Sequence, residues 1–191
     1  MEKMPGYDEA QALTGEFESI EPGGYICKII NAKEEMSKSN KKMLVIAFDI
    51  AEGEHKDFYK RRYDELCKQN KDLNTKVKWP NNGVYRQMLE GENATSYLKG
   101  LMTSLEESNE KFKWDWDEKK LVGLLFGGIF GKEEYQNQTT GEYKMATKLR
   151  FVRTIKAVKE GKFDIPEDKK LPKENNNFNF VQGDSGDDLP F

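Results

Sequence analysis

Two apolar runs separated by a polar loop lie in the second half of the chain and predict a long β-hairpin. The first run carries three glycines, Gly127, Gly128 and Gly131, and glycines inside a strand mark a sharp bend or the close approach of another backbone. The second run alternates in character over Lys148–Ile155, the period of two expected of a strand with one buried face. Its other face is basic, so the hairpin presents cations to solvent.

The loop between the two runs, Lys132–Tyr143, is polar and has Gly141 as its turn residue. A curved hairpin with a basic surface and aromatic residues near its loop is suited to holding a polyanion, because bases stack on tyrosine and phosphates meet lysine and arginine. The hairpin therefore supplies five candidate nucleic-acid contacts: Lys132, Tyr135, Tyr143, Lys148 and Arg150.

Three strands are predicted in the first half of the chain. The first follows Gly23 and Gly24, and the second, starting at Met43, places its apolar residues on one face as far as Ile50. The polar loop from Ser37 to Lys42 separates these two strands. The third predicted strand covers residues 56–63.

The third predicted strand combines cationic and aromatic residues, because Lys60, Arg61 and Arg62 stand between Tyr59 and Tyr63. One interpretation is a nucleic-acid face, and the other is a solvated sheet edge, since lysine and arginine also discourage edge pairing. The pattern leaves open whether Tyr59 with Arg61 or Lys60 with Arg62 points outward. The candidate contacts chosen from this half of the chain are Lys42, Tyr59, Arg61 and Tyr63.

The segment from Asp64 to Thr95 lacks clean periodicity and is predicted to be an insertion or long loop. Trp79 is expected to pack against this loop, and a stacking platform for a base is the alternative. An apolar stripe then predicts a helix with Thr95 as its N-cap and Asn109 at its end. The predicted order is three strands, a helix and two strands.

This order is that of an OB-fold, so the predicted fold is mainly β: a five-stranded Greek-key barrel with one helix between strands 3 and 4. An SH3-like barrel or an open α+β sheet are the alternatives. The predicted organisation is an extended acidic lead-in at residues 1–22, an OB domain at 23–159, and a disordered tail at 160–191, where prolines and asparagines replace any amphipathic period.

The composition narrows the classes of function. The 191 residues carry a net charge of −3, and Cys27, Cys67 and His55 are too few for a zinc site built from thiols and imidazoles. With neither a signal peptide nor a long apolar segment, we expect a soluble cytoplasmic protein without membrane partners. No cofactor motif is present, and we expect no enzyme. A nuclease is the catalytic alternative, with metal bound by one or more of these carboxylates: Asp57, Asp64, Asp115 and Asp117.

The end of the chain, GDSGDDLPF, resembles the acidic C-terminal tip of bacterial single-stranded DNA-binding proteins. The body resembles phage-encoded single-stranded DNA-binding proteins with an OB-fold at Gly24-Tyr25, Met43–Ile50, Tyr97–Asn109 and Leu121–Arg153. In the bacterial tip the residue before the Pro-Phe end is typically isoleucine, which is leucine here, and Ser185-Gly186 interrupts the acidic run. The resemblance implies that the tip recruits replication, recombination or repair proteins through Asp187, Asp188, Leu189, Pro190 and Phe191.

The sequence thus predicts a protein that coats and protects single-stranded DNA with little sequence preference during phage DNA replication or recombination, in the cytoplasm of a bacterial host. The alternatives are an RNA-binding OB module, a metal-dependent nuclease and an adaptor that uses only its tail. The oligomeric state is open, and a homo-oligomer is among the possibilities.

Overall fold

The computed structural model describes residues 19–70, 77–137 and 140–171. In this part of the chain five strands and three helices follow one another, together with two short 3₁₀ turns at Asn81–Gly83 and Glu118–Leu121. The elements are β1 (Gly23–Met36), β2 (Lys42–Ile50), α1 (Phe58–Gln69), β3 (Val84–Met88), α2 (Ala94–Ser108), β4 (Leu125–Gln136), β5 (Tyr143–Arg153) and α3 (Ile155–Lys159).

The five strands form one antiparallel sheet in the order β3-β2-β1-β4-β5. The long strand β1 is central: Cys27 lies opposite Ile50 on β2, and Gly23 lies opposite Phe130 on β4. No strand pairing joins β3 to β5 in the described residues, so the sheet is open at these two edges. The predictions of five strands and of a mainly β fold are therefore confirmed at the level of an open sheet.

The core lies between the inner face of the sheet and α2. The helix contributes Leu101, Met102 and Leu105, and the sheet contributes Phe48 and Phe130 among others, all buried. Strand β2 supplies several of these buried side chains, because every second side chain of a strand points to the same face of the sheet. Ile20, from the predicted extended lead-in, is also buried in this core.

The prediction of a third strand at residues 56–63 is wrong, because this segment begins helix α1. Phe58, Tyr59, Arg62, Tyr63 and Leu66 recur at the spacing of one helix face, and the first two are buried. The short run of mixed apolar and basic residues also fits a strand, which is why periodicity alone gave the wrong element.

The third strand is Val84–Met88, within the segment that was predicted to be a loop. The helix predicted after it is confirmed as α2, although it begins one residue earlier and its N-cap is Asn93, at φ 65°, rather than Thr95. The hairpin is confirmed too, and its strands are longer than predicted. Strand β4 continues to Gln136, so the loop is shorter than Lys132–Tyr143.

Residues 160–171, predicted to belong to the tail, lie against the sheet, and we call them the C-terminal strap. A Cβ atom added to Gly24 would be 2.5 Å from the ring of Phe163, and one added to Gly131 would be 3.1 Å from Pro166. Lys169 forms a parallel bridge with Glu133 on β4. The folded part thus extends beyond residue 159, and the predicted partner-binding tip lies outside the described residues.

No helix in residues 19–70, 77–137 and 140–171 is long and apolar enough to cross a membrane.

Candidate nucleic-acid interface

The outer face of the β4–β5 hairpin carries several of the predicted contacts. Tyr135 lies opposite Lys144, and Gly131 lies opposite Lys148, and residues opposite each other in an antiparallel pair share a face. Phe130 and Leu149 point to the core, so these pairs point away from it. Tyr135 is 38% exposed, which leaves its ring accessible beside the two lysines.

Two further predicted residues lie on β5. Arg150 sits where the β4–β5 register shifts, and its Nη1 atom is buried with no hydrogen-bond partner in the described part of the chain. Lys148 Nζ lies 3.8 Å from Glu133 Oε2, a long contact between two partly exposed groups. Arg153 extends the basic row and stacks 5.4 Å from the ring centre of Phe151.

A groove follows the open edge of β5, between this strand, α1 and the 3₁₀ turn Asn81–Gly83. Two adjoining cavities of about 350 and 300 Å³ share Arg62, Asn82, Tyr135 and Ala146. We call this the seam groove, because in it the edge strand β5 faces the 3₁₀ turn that leads into the other edge strand, β3. The first cavity is lined by Arg62, Leu66, Pro80, Asn81, Asn82, Tyr135, Ala146 and Lys148.

Helix α1 carries Arg62 to this groove, and a buried carboxylate on β2 fixes the helix. Asp49 accepts hydrogen bonds from the backbone N–H groups of Tyr59 and Lys60, each at 2.9 Å. The first N–H groups of a helix have no partner within the helix, so Asp49 satisfies two of them. Burial raises the pKa of Asp49, and these hydrogen bonds oppose that rise.

The predicted contacts on α1 have different positions. Tyr59 is 1% exposed, with its ring edge-on to Phe48 and Phe58, and burial raises its pKa strongly. It has no accessible face for a base, so its prediction as a contact is wrong. Arg61 is exposed and donates a hydrogen bond from Nη1 to the carbonyl of Lys56.

Tyr63 packs against Trp79, with ring centres 5.4 Å apart. Trp79 donates from Nε1 towards the carbonyls of Phe48 and Gly83, at 3.3 and 3.2 Å. The prediction that Trp79 packs against its own loop is confirmed. Tyr63 is therefore half-buried beside the groove rather than part of an exposed row.

The remaining predicted contacts are dispersed. Lys42 begins β2 and pairs with Glu34 at 3.3 Å. Tyr143, 58% exposed, stands at the end of the hairpin opposite Gln136, while Lys132 lies opposite Thr147 on the face away from Lys148. The structure therefore brings Tyr135 and Lys148 together in the seam groove and places Arg150 farther along β5. Lys42, Tyr143 and Lys132 lie outside the groove.

A basic sheet face was missed because β3 was not recognised. Lys33 on β1 and Arg86 on β3 lie on either side of Val45 on β2, on the outer face of the sheet. Arg86 donates a hydrogen bond of 2.9 Å to the side chain of Asn81, which also lines the seam groove. The alternation of Val84, Arg86 and Met88 with Tyr85 and Gln87 was the available signal.

The four carboxylates considered for a nuclease occupy separate places. Asp64 pairs with Lys60 at 2.6 Å, and Asp115 forms an ion pair with Lys120. Asp117 accepts a hydrogen bond from the backbone of Lys119, and Asp57 precedes α1 at φ 58°. Within the described ranges, no three histidine, cysteine, aspartate or glutamate side chains are close enough together to hold a metal ion.

A family model described as "Protein of unknown function (DUF669)" matches residues 6–88. The match ends at the last residue of β3, so it covers neither α2 nor the β4–β5 hairpin. No curated protein matches the chain.

Proposed function

We propose that this protein coats and protects single-stranded DNA with little sequence preference during phage DNA replication, recombination or repair, and has no catalytic role. The observation that carries the proposal is the convergence of Tyr135, Lys148 and Arg62 on the seam groove. These residues come from β4, β5 and α1, and they combine one accessible aromatic ring with two cations.

The basic row on β5 gives this surface the length that a strand of nucleic acid requires. Lys144, Lys148, Arg150 and Arg153 lie along an 11-residue strand, which spans about 35 Å. Cations along a groove track the phosphate backbone, while stacking on an aromatic ring tolerates any base. Such a surface binds single strands with little sequence preference and with affinity that falls as salt rises.

We propose that the fold is a partly open OB-fold barrel. The sheet order β3-β2-β1-β4-β5, with α2 between β3 and β4, is compatible with a five-stranded Greek-key arrangement. The edge strand β5 and the turn that leads into the other edge strand, β3, both border the seam groove. OB-folds bind oligonucleotides on strands 2 and 3 and on the two flanking loops. The outer face with Lys33 and Arg86 then belongs to the same binding surface.

The C-terminal tip, Asp187 to Phe191, is proposed to recruit a replication, recombination or repair protein. Leu171, the last described residue, donates a backbone hydrogen bond of 3.0 Å to Glu134 on β4. The chain therefore continues from a point next to the β4–β5 hairpin. Deletion of residues 187–191 is expected to abolish partner capture while leaving DNA affinity in high salt unchanged.

The test is the fluorescence anisotropy of a labelled oligo-dT titrated with the full chain at low and high salt. Unlabelled single-stranded DNA, duplex DNA and RNA of equal length serve as competitors. We expect tight, salt-sensitive binding that single-stranded DNA competes away best. Preferential competition by RNA would instead support the RNA-binding alternative. No binding at micromolar protein would contradict the proposal and leave an adaptor or an enzyme as the alternatives.

A nuclease is tested in the same samples. Magnesium-dependent shortening of the oligomer, analysed on a denaturing gel, would contradict a purely binding role. Variants of Asp64 and Asp115 would then show whether these carboxylates take part.

A further inference from the structure

A second surface with the features of a binding site lies away from the seam groove, in the segment between α2 and β4. Trp116 is 77% exposed, the most exposed of the large apolar side chains in the described residues. Its φ angle is +68°, a left-handed conformation that a bulky aromatic residue rarely adopts. An exposed tryptophan at a strained backbone position indicates a side chain kept for contact with another molecule.

The chain on both sides of Trp116 is fixed by polar contacts. Trp114 donates its backbone N–H to Glu106 on α2 at 2.9 Å, and Asp115 forms an ion pair with Lys120. The rings of Trp114 and Trp116 lie side by side, with their centres 6.0 Å apart. A fixed segment therefore presents the Trp116 ring.

The two tryptophans form one wall of an apolar groove that runs along α2. Two adjoining cavities of about 330 and 340 Å³ share Thr95, Leu98, Trp114 and Trp116. We call this the tryptophan groove. It follows α2 from Thr95 to Glu106, a length of about 16 Å. An extended peptide of about five residues covers that length, so the groove is longer than one side chain or one small cation needs.

The first cavity of the tryptophan groove is lined by two carboxylates and by no lysine or arginine. Glu34 comes from β1, and Glu118 comes from the 3₁₀ turn before β4. Glu34 is paired with Lys42 at 3.3 Å, whereas Glu118 forms no ion pair or hydrogen bond within the described residues. This cavity therefore attracts a cation and repels a phosphate. Its apolar floor consists of Leu44, Leu89 and Leu98.

The second cavity is close to neutral, because Lys99 and Glu106 both line it. Met102 adds to its apolar surface. In the described part of the chain, no lysine or arginine side chain lies over the ring of Trp114 or Trp116. The faces of indole rings attract cations, and a guanidinium suits them best because it is planar and also forms ion pairs with carboxylates.

We propose that the tryptophan groove binds a segment of a partner protein in which an arginine is flanked by apolar residues. The guanidinium stacks on Trp116 in the cavity that Glu118 lines, and the apolar neighbours fill the floor beside Leu98. The inference goes beyond DNA binding and does not depend on it. It gives the folded body a partner site of its own, separate from the C-terminal tip.

Charge selects this occupant over the others. A single strand of DNA brings phosphates to a cavity that contains two carboxylates and no cation. The two terminal segments outside the described residues are acidic as well. Residues 1–18 carry five acids against one lysine, and residues 172–191 carry four against one. A cationic, apolar segment of another protein is the complement of the groove in both respects.

The experiment uses a labelled pentapeptide of alternating leucine and arginine, blocked at both ends, and the full chain. Fluorescence anisotropy gives its affinity. Matched peptides replace the arginines with lysine or glutamate, or the leucines with serine. We expect the arginine peptide to bind best, and the glutamate and serine peptides to bind at least about tenfold more weakly. Deletion of residues 187–191 should leave the affinity within about twofold, because the tip is not the site.

Variants of the groove test the two named contacts. Trp116→Gly and Glu118→Gln should each weaken binding of the arginine peptide at least about fivefold. Glycine adopts a positive φ without strain, so Trp116→Gly should unfold at a urea concentration no lower than that of Trp116→Ala. Tyr97→Ala and Glu107→Gln alter exposed residues of α2 outside the groove and should change the affinity less than about twofold.

Several results would overturn the inference. The first is no peptide binding at about 100 μM protein, and the second is equal binding of the glutamate peptide. Binding that survives Trp116→Gly would place the peptide elsewhere, and binding lost on deletion of residues 187–191 would assign it to the tip. Protection of tryptophan emission from acrylamide as protein concentration rises, without peptide, would assign the groove to contact between copies of the chain.

Titration of oligo-dT with the same variants separates this inference from the proposed function. Trp116→Gly and Glu118→Gln should leave oligo-dT affinity within about twofold. Peptide binding without oligo-dT binding would overturn the proposed function alone. Oligo-dT binding without peptide binding would overturn the inference alone.

Discussion

The carboxylate of Asp49 on β2 accepts a hydrogen bond of 2.9 Å from the backbone N–H of Tyr59, in the first turn of α1. Asp57, the N-cap residue in the chain, makes no side-chain capping bond. Asp49 therefore caps α1 from the neighbouring strand. It fixes the position of the helix, which carries Arg62 to the seam groove. The same carboxylate also accepts from the backbone of Ile50 and Lys60.

Asp49→Ala is expected to lower the free energy of unfolding by about 2–4 kcal/mol, because it leaves helix N–H groups buried without an acceptor. Asp49→Asn keeps one oxygen acceptor and should cost less. Urea unfolding measures both, with Asp57→Asn as the control because Asp57 makes no capping bond. A loss as large in the control as in Asp49→Ala would contradict the capping role.

Glu106 makes stability depend on pH in a predictable direction. Hydrogen bonds from the Trp114 backbone and from Lys113 lower its pKa below the ordinary value of 4.5. A lowered pKa in the folded state gives stability that is present above 4.5 and is lost as the pH falls through the folded value. Glu106→Gln should therefore lose less stability than the wild type between pH 6 and pH 3 in urea unfolding. Glu107→Gln, on the same helix, should follow the wild-type pH profile.

Tyr135→Ala is expected to weaken binding of oligo-dT by about 1–2 kcal/mol, or about 5- to 30-fold, because it removes a stacking surface in the seam groove. Anisotropy titration at fixed salt measures the change. Tyr97→Ala removes a tyrosine of α2 that is more exposed than Tyr135 and lies outside the seam groove, and it should leave oligo-dT affinity within about twofold. Equal losses in the two variants would show that the site is not where we place it.

Lys148→Gln tests the phosphate contacts through the dependence of affinity on salt. Each phosphate contact with a single strand contributes about 0.7 to the slope of log affinity against log salt. Removal of the Lys148 charge should reduce that slope by about this amount, with a uniform loss of affinity across sequences. Lys111→Gln, next to Phe112 on the linker after α2, should leave the slope unchanged.

Gly127→Ala is expected to destabilise the protein by about 1–3 kcal/mol, because the added Cβ would lie 2.5 Å from the backbone oxygen of Thr154. Gly100→Ala is the matched control, since a Cβ there meets nothing within 4 Å in the middle of α2. The control should gain about 0.5–1 kcal/mol from its better helix propensity. A stability change of the same sign in both variants would contradict the close packing at Gly127.

Much of the sheet is predictable from the sequence, because β1, β2 and the β4–β5 hairpin each show alternation that extends over several residues. The glycines in the first run of the hairpin were predicted to mark a sharp bend or the close approach of another segment. Gly127 and Gly131 lie where α3 and the C-terminal strap pass close to β4. The hairpin contacts Tyr135 and Lys148 follow from the same alternation.

The rest depends on contacts that a local pattern does not contain. Helix α1 is capped by Asp49, which lies in the preceding strand, so no capping motif marks its start. Strand β3 has five residues, too few for a clear period. Because this strand was not predicted, Arg86 could not be assigned to the outer face of the sheet. The C-terminal strap has a polar composition typical of a tail, yet its Phe163 and Pro166 pack against glycines of the sheet.

The central position of β1 sets the order in which this protein can fold. A short turn joins β1 to β2, whereas the other neighbour of β1, strand β4, begins about 100 residues after the start of β1. Long-range strand pairing loses the conformational entropy of loop closure before any stabilising contact forms, and this slows folding. During synthesis, β1, β2 and β3 emerge first with one edge of β1 unpaired. We expect the rate-limiting step to be the arrival of β4 at that edge, so nascent chains that stop before residue 125 expose it to other strands.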